Sequence, residues 1–310
     1  MQEGSKIKVG ILRGGVGEEY ADSIEIGGEL LRFIEEHLNE KYKTVDILID
    51  RNGVWHIHGL PIDPLDLVHR VDLVWNVTHP SFSNALNSIA IPNIGHDAFL
   101  QTLEKNHDLL KEHASRAGIQ IPKSYVLPPY REDLDGSRTD YGIRKAKEVH
   151  AKFGAPWLVK SFNRDPDMGI HVAKTFGELV SAIDDGVNHG DSILVQEFIT
   201  GRDASVYSVP HFRNEPLYTF PLVHETNESI KFSNSEREKI LSIARNLHNV
   251  LGAKHYLKSN LIITPSGRVY LASIESDPDL RKDSHFHKVC EAVGAKAHQV
   301  IDHILSAVLK

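Results

Sequence analysis

Over the first third of the chain, short apolar runs alternate with stretches whose apolar residues recur at helical spacing. Residues 6–12 read as a buried strand, followed by the glycine turn Arg13-Gly14-Gly15-Val16-Gly17. Behind the turn, Ile26, Leu30, Leu31, Ile34 and Leu38 fall on one helical face, and Asp22 and Glu25 are spaced as a capping pair. Further strands are predicted at 45–49, 54–57 and 71–77. Strand, helix, strand in this rhythm implies parallel pairing with a right-handed crossover. A first domain is expected over residues 1–96.

A second domain, 97–199, is predicted to open with a helix over 100–117 that ends at Gly118. It continues with a strand at 124–127, a polar loop over 128–141, a helix at 143–153 and strands at 156–160 and 170–174. A helix over 176–185 and a strongly apolar strand at 192–199 complete it. The third domain, 200–310, is predicted to hold strands at 204–209 and 215–223 and an amphipathic helix at 236–251. A hairpin, 257–263 and 269–274, turns through Thr264-Pro265-Ser266-Gly267, and a helix at 289–309 ends the chain. The fold class is α/β, without internal repeats.

At 310 residues the chain suits one enzyme subunit of two or three domains, burying roughly three-quarters of its unfolded surface. A net charge of −7 argues against nucleic acid or an anionic membrane as the main partner, since both need a basic surface. Cys290 is the only cysteine, so no intrachain disulfide forms and a reducing, cytoplasmic setting is expected. No run approaches the ~18 apolar residues of a membrane span. The apolar run at 7–12 is too short for a signal peptide. Histidines number 19, yet the pairs His56/His58 and His285/His287 lack a third metal ligand.

The turn at Gly14-Gly15-Val16-Gly17 is not a phosphate loop, because no Gly-Lys-Ser/Thr follows and Tyr20 stands where a dinucleotide fingerprint needs glycine. It suits close approach of backbone to a small ligand. The polar Glu18, Glu19, Asp22 and Ser23 beyond it read equally as ligand contacts or as helix capping. Lys160 ends an apolar strand, Lys105 lies in the helix after the first domain boundary, and Leu194-Val195-Gln196-Glu197-Phe198-Ile199 precedes Gly201-Arg202-Asp203. That order suits a nucleotide: strand backbone for an adenine, an acid for ribose hydroxyls, lysines for phosphates.

On these residues the chain resembles the D-alanine–D-alanine ligases of the ATP-grasp superfamily over nearly its whole length. The anchors are Val9-Gly10-Ile11-Leu12-Arg13-Gly14-Gly15 with Glu19 and Ser23, Leu103-Glu104-Lys105 ahead of Gly118-Ile119-Gln120-Ile121-Pro122, Leu158-Val159-Lys160, Val195-Gln196-Glu197-Phe198-Ile199, and Val269-Tyr270-Leu271. The resemblance implies an N-terminal parallel α/β domain followed by central and C-terminal ATP-grasp domains. It also implies phosphoryl transfer from ATP to a D-alanine carboxylate, attack of a second amine on the acyl phosphate, and catalysis mainly by charge neutralisation and alignment around magnesium. Carried over, Lys105 and Lys160 contact ATP phosphates, Gln196, Glu197, Phe198 and Ile199 frame the adenine, and Asp203 holds the ribose. Glu19 meets the substrate ammonium with Ser23 beside it, and His79 takes the place of a family histidine. A homodimer through the N-terminal domain and a small amino-acid substrate are implied as well.

The departures from the family pattern cluster at the chemistry. The family holds its metal with an Asp on one hairpin strand and a Glu and an Asn on the other; Asn260, Ser273 and Glu275 stand there, with Asp277 as a possible substitute carboxylate. Lys258 replaces an arginine, which keeps the charge and loses the bidentate fork. Asp279 replaces a glycine and sets a negative charge where an oxyanion forms. The loop at 161–169 carries Asp165, Pro166 and Asp167 instead of small donors. Lys231 is the nearest counterpart of the family's lid lysine. Two readings stay open: a ligase with a weakened magnesium site, or a nucleotide-binding pseudoenzyme on the same fold.

Overall fold

The computed structural model describes residues 6–17, 19–95, 98–162, 168–190, 192–223, 232–281 and 283–309, and of Ala98, Lys105 and His107 the backbone alone. The chain divides into two compact units. One comprises residues 1–117, 203–261 and 273–310, the other 118–202 and 262–272.

In the first unit, β1 (Ile7–Gly14) runs parallel to β2 (Tyr42–Ile49) and to β5 (Leu73–Asn76), and β5 runs parallel to β6 (Asn93–Gly95). The crossover from β1 to β2 is α1 (Tyr20–His37), which buries Ser23, Gly27, Leu30, Phe33 and Ile34. Gly27 lets the helix lie on the strand, since a Cβ there would stand 2.7 Å from that of Arg13. β3 (Trp55–Ile57) departs from the parallel expectation. Only a turn separates it from β2, too short for a crossover, so it pairs antiparallel, as does β4 (Leu60–Ile62) with it. The sheet order is β4-β3-β2-β1-β5-β6.

Three helical expectations shift. Asp22 and Glu25 form no capping pair; α1 starts earlier, at Tyr20, and Asp22 sits in its first turn. The helix expected over 100–117 is two, α3 (Ala98–Lys105) and α4 (His107–Arg116), because the Asn106 carboxamide accepts from the Leu109 N–H (3.0 Å) and caps a new start. A short helix, α2 (Ser81–Ser88), follows Pro80.

The second sheet of this unit is built from β11 (Arg202–Pro210), β12 (Leu217–Thr219), β13 (Leu257–Ile263) and β14 (Val269–Glu275), in the order β12-β11-β13-β14; the hairpin tip, 262–272, belongs to the other unit. The helix α8 (Asn234–Val250) opens with a capping box between Ser233 and Glu236. The C-terminal helix is again two, α9 (His285–Ala292) and α10 (Ala297–Val308), parted at Gly294 with φ +66°. One core joins Val9, Ile11, Phe33 and Trp75 to Tyr207, Phe286, Val300 and Ile301.

The second unit is an antiparallel sheet, β7 (Ser124–Leu127), β10 (Ile193–Glu197), β8 (Trp157–Ser161) and β9 (Ile170–Ala173) in that spatial order. The polar stretch expected to be loop to residue 141 holds α5 (Glu132–Asp135) and the start of α6 (Arg138–Lys152), whose N-cap Ser137 accepts from the Asp140 N–H. With α7 (Phe176–Asn188) it covers a core of Tyr141, Val149, Trp157, Val159, Ile183 and Val195. Among the described residues no helix is long and apolar enough to cross a membrane.

One buried polar contact gives this fold a pH dependence. His248 of α8 is 2% exposed; its Nδ1 lies 2.8 Å from the Ser208 hydroxyl, and its Nε2 has no hydrogen-bond partner among the described residues. Burial pushes its pKa down to about 4. Above the ordinary histidine value of 6.5 both folded and unfolded chains hold it neutral, so nothing changes. As pH falls below that value only the unfolded chain takes the proton, and stability drops by about 1.4 kcal/mol per unit until pH 4, about 3 kcal/mol in all. Urea unfolding of the wild type and His248→Leu at pH 7.0, 6.0 and 5.0 (values chosen to cover about one and a half units of that window) is expected to show the wild type losing stability faster toward acid, with this extra slope gone in the variant.

Candidate functional site

Strand alternation builds the first cluster. Along β13, buried Leu257, Ser259, Leu261 and Ile263 alternate with half-exposed Lys258, Asn260 and Ile262. Along β14 the burial alternation slips by one place at Ala272–Ser273, so that Ser273 and Glu275, which share a face, are half-exposed where Val269 and Leu271 are buried. Asn260, Ser273 and Glu275 lie together. The Asn260 amide donates to Ser273 Oγ (2.9 Å) and to Glu275 Oε1 (2.8 Å), and its oxygen accepts from the Ser205 hydroxyl (2.7 Å). The Lys258 ammonium stands 3.2 Å from Glu275 Oε1 and 3.3 Å from Oε2. Asp277 lies beyond the end of β14 and lines a small hollow with Ile26, Glu29, Leu30, Trp75 and Leu280.

Several partners in this region were not among the sequence candidates. Ser205 and Tyr207 follow Asp203 at alternate positions of β11, which is the signal that points to them. The buried Tyr207 ring lies 5.8 Å from the Lys258 ammonium. Its hydroxyl bonds His285 Nδ1 (2.8 Å), and His285 Nε2 donates to the Val223 carbonyl (2.8 Å); a carbonyl only accepts, so Nδ1 is the acceptor and the tyrosine the donor. Asp279 is paired in bidentate fashion with Arg281, at 2.9 Å to Nε and 2.8 Å to an Nη. Burial works against the Asp279 carboxylate, yet the Arg281 bonds outweigh it and hold its pKa below the usual range.

Magnesium wants hard oxygen ligands, preferably anionic, at about 2.0–2.1 Å in an octahedron. The hairpin offers one carboxylate, already engaged by an ammonium, and an amide that faces it with N–H groups rather than oxygen. Among the described residues no group of three or more His, Cys, Asp or Glu is arranged to hold a metal. The residues present do not fit the ion.

The remaining candidates fall in both units. In the first, Glu19 precedes α1 and accepts from the Gln101 amide (3.3 Å). Ser23 is 3% exposed, and its hydroxyl accepts the Gly14 N–H (2.9 Å). Gly14 itself has φ +90°, and a Cβ there would meet the Ile49 carbonyl at 2.2 Å, so no other residue makes this turn without strain. Lys105 ends α3, and Asp203 is exposed near the start of β11. His79 Nδ1 pairs with Ser81 Oγ (2.9 Å).

In the second unit Lys160 is half-buried on β8 opposite Leu194, and Gln196 is buried opposite Leu158. Glu197 donates its N–H to the Lys123 carbonyl (2.7 Å) and accepts from the Lys123 N–H (3.3 Å); Phe198 donates to the Pro156 carbonyl (3.0 Å). Ile199 follows the end of β10. Gly201 admits no side chain, because a Cβ would sit 2.6 Å from the Ile263 carbonyl. Most of the loop expected to cover phosphates, 163–167, and Lys231 lie outside the described residues.

The parallel α/β sheet followed by two four-stranded antiparallel sheets is the ATP-grasp architecture. Residues 116–306 match the family described as D-ala D-ala ligase C-terminus, and the chain belongs to the D-alanine–D-alanine ligase family, whose members are ATP-dependent ligases. It is 21% identical over 348 residues to the D-alanine–D-alanine ligase of Legionella pneumophila, covering 96% of this chain and 93% of that protein. Among solved structures, the D-Ala:D-Ser ligase VanG of Enterococcus faecalis superposes with a TM-score of 0.73 at 18% identity, covering 98% and 100% of the two chains. The D-alanine–D-alanine ligase of Bacillus anthracis complexed with ATP superposes at 0.68, with 18% identity over 98% and 97%.

The turn that carries Glu19 depends on Ser23. Ser23→Ala leaves the Gly14 N–H without its acceptor in a buried place, at an expected cost of about 1–3 kcal/mol in urea unfolding. A loss near zero would mean that another group or a water satisfies that N–H.

Proposed function

We propose that this chain is an ATP-dependent ligase joining a small amino acid, D-alanine or another, to an amine through an acyl phosphate, with a weakened dependence on magnesium. The observation that carries the reading is membership of the ligase family over 116–306, with near full-length likeness to ligases at both ends of the comparison. On this reading Lys105 and Lys160 neutralise the ATP phosphates, and Gln196 to Ile199 frame the adenine. Asp203 holds the ribose, and Glu19 takes the substrate ammonium in the turn that Ser23 fixes. Lys258 offers positive charge to the oxyanion formed when the amine attacks. Magnesium would supply charge neutralisation at the phosphates in such a ligase, and Asn260, Ser273 and Glu275, with Asp277 as a second carboxylate, are the residues that would hold it, although their donor set does not fit the ion well.

A second reading is favoured by the same hairpin. Asn260 and Glu275 are fully engaged with neighbouring side chains, as in a structural network, which suits a nucleotide-binding protein with little turnover. One pair of measurements separates the two: release of ADP and phosphate that depends on D-alanine and magnesium, and calorimetric titration of ATP. Release at about 1 s⁻¹ or faster, within the ordinary enzyme range, is the expected result for the ligase. ATP binding without release favours the pseudoenzyme. The absence of any ATP binding would remove both.

A further inference from the structure

The hairpin cluster is not an unfilled metal site with pieces missing, because its hydrogen bonds close on themselves. Asn260 uses every polar position of its carboxamide: both N–H bonds, to Ser273 and Glu275, and the oxygen, to Ser205. Turning that amide to aim its oxygen at a cation would set a carbonyl oxygen 2.8 Å from a carboxylate oxygen, a repulsive contact unless a cation separated them. The charge of Glu275 is met instead by Lys258, whose ammonium is nearly equidistant from the two oxygens at 3.2 and 3.3 Å. The Lys258 side chain is 15% exposed and that of Glu275 38%, so the lysine end of the pair is partly shielded from solvent.

A second wall fixes the same ammonium. The Tyr207 ring, with its centroid 5.8 Å away, lies within the range of a cation–π contact. The ring is held in place by the Tyr207–His285–Val223 hydrogen-bond chain. A carboxylate on one side and an aromatic face near by suit a lysine ammonium, whereas a small divalent ion wants oxygen all round. An ammonium and a divalent ion cannot occupy the same carboxylate edge.

We propose that Lys258 is the resident cation of the β13–β14 hairpin: its ammonium holds the place of a divalent ion, excludes one, and lets the chain take a nucleoside triphosphate without a divalent metal. Only the nucleotide part rests on the ligase reading given above. Asn260 and Ser205 then act as positioning residues, presenting Glu275 to the lysine.

Two experiments test this separately. The first is a manganese titration followed by the EPR signal of free Mn²⁺, without nucleotide. The wild type is expected to leave Mn²⁺ free, as is Lys258→Arg, which keeps the charge and checks that substitution here is tolerated. Ser273→Asp supplies a second carboxylate beside Asn260, and Ser273→Asp with Lys258→Met is expected to bind Mn²⁺ at least about tenfold more tightly than Ser273→Asp alone. Should the double variant fail to fold by circular dichroism, Lys258→Gln takes the place of Lys258→Met. Equal affinity of single and double variants, or Mn²⁺ binding by the wild type as tight as by the double variant, would overturn the assignment. The second experiment is calorimetry of ATP in EDTA and in excess MgCl₂. Affinities within about twofold are expected for the wild type, and a loss of about tenfold in EDTA for Lys258→Met. A wild-type affinity that rises more than about tenfold with magnesium overturns the metal-free part. If ATP binds in neither buffer, the ligase reading fails, while the manganese titration still decides the cation.

Discussion

The hydrogen bond from the Asn260 amide to Glu275 is the contact on which the candidate site turns. It settles which end of the amide faces the carboxylate, and so whether the hairpin presents donors or acceptors to its surroundings. With the N–H pointing at Glu275, the cluster holds one negative charge and meets it with one ammonium. The charge is balanced within the protein. A ligase that gathers two or three hard oxygens around a divalent ion starts from the opposite condition, an excess of negative charge that only the metal removes.

What places these groups is ordinary sheet geometry. Period-two alternation puts Lys258 and Asn260 on one face of β13, and the same alternation in β14 puts Ser273 and Glu275 on one face beside them. Behind the sheet, Tyr207, Tyr256 and Phe286 pack as a group of rings. Tyr256 is buried so completely that its pKa lies well above that of a free tyrosine, so it stays neutral and adds no charge beneath the lysine. The apolar floor therefore sharpens the pairing above it, since a charge held over a low-dielectric core depends more on its partner.

The fold was readable from the chain because its strands and crossover carry strong patterns. β5 falls within its predicted range, and β1, α1, β2 and the hairpin with its Pro-Gly turn stand where the pattern expects them, with ends a few residues beyond the predicted ones. The elements that departed from expectation were decided by single polar or glycine residues against the hydropathy pattern: Asn106 breaking one helix, Gly294 another, and a turn too short for a crossover setting β3 antiparallel. For the site, the hairpin residues were legible through the family resemblance, and Asn260, Ser273 and Glu275 do lie together. Ser205, Tyr207 and His285 were not. Their roles depend on contacts across 55, 51 and 78 positions of the chain (Ser205 to Asn260, Tyr207 to Lys258, Tyr207 to His285), and only the alternate placing of Ser205 and Tyr207 after Asp203 leaves a trace in the local pattern.

The reading of Asp279 changes most once its neighbour is seen. As a bare carboxylate in place of a glycine it would oppose a developing oxyanion. Paired through both oxygens with Arg281, it presents a neutral couple, and its backbone carbonyl is tied by the Ser284 hydroxyl (2.7 Å). The loop after β14 is thus stiffened and its charge cancelled within two residues. What the Asp279 side chain adds to this loop is then bulk more than net charge. Lys258 and Arg281 each neutralise a neighbouring acid, and the hairpin and its following loop meet their negative charge in the same way, by internal ion pairing.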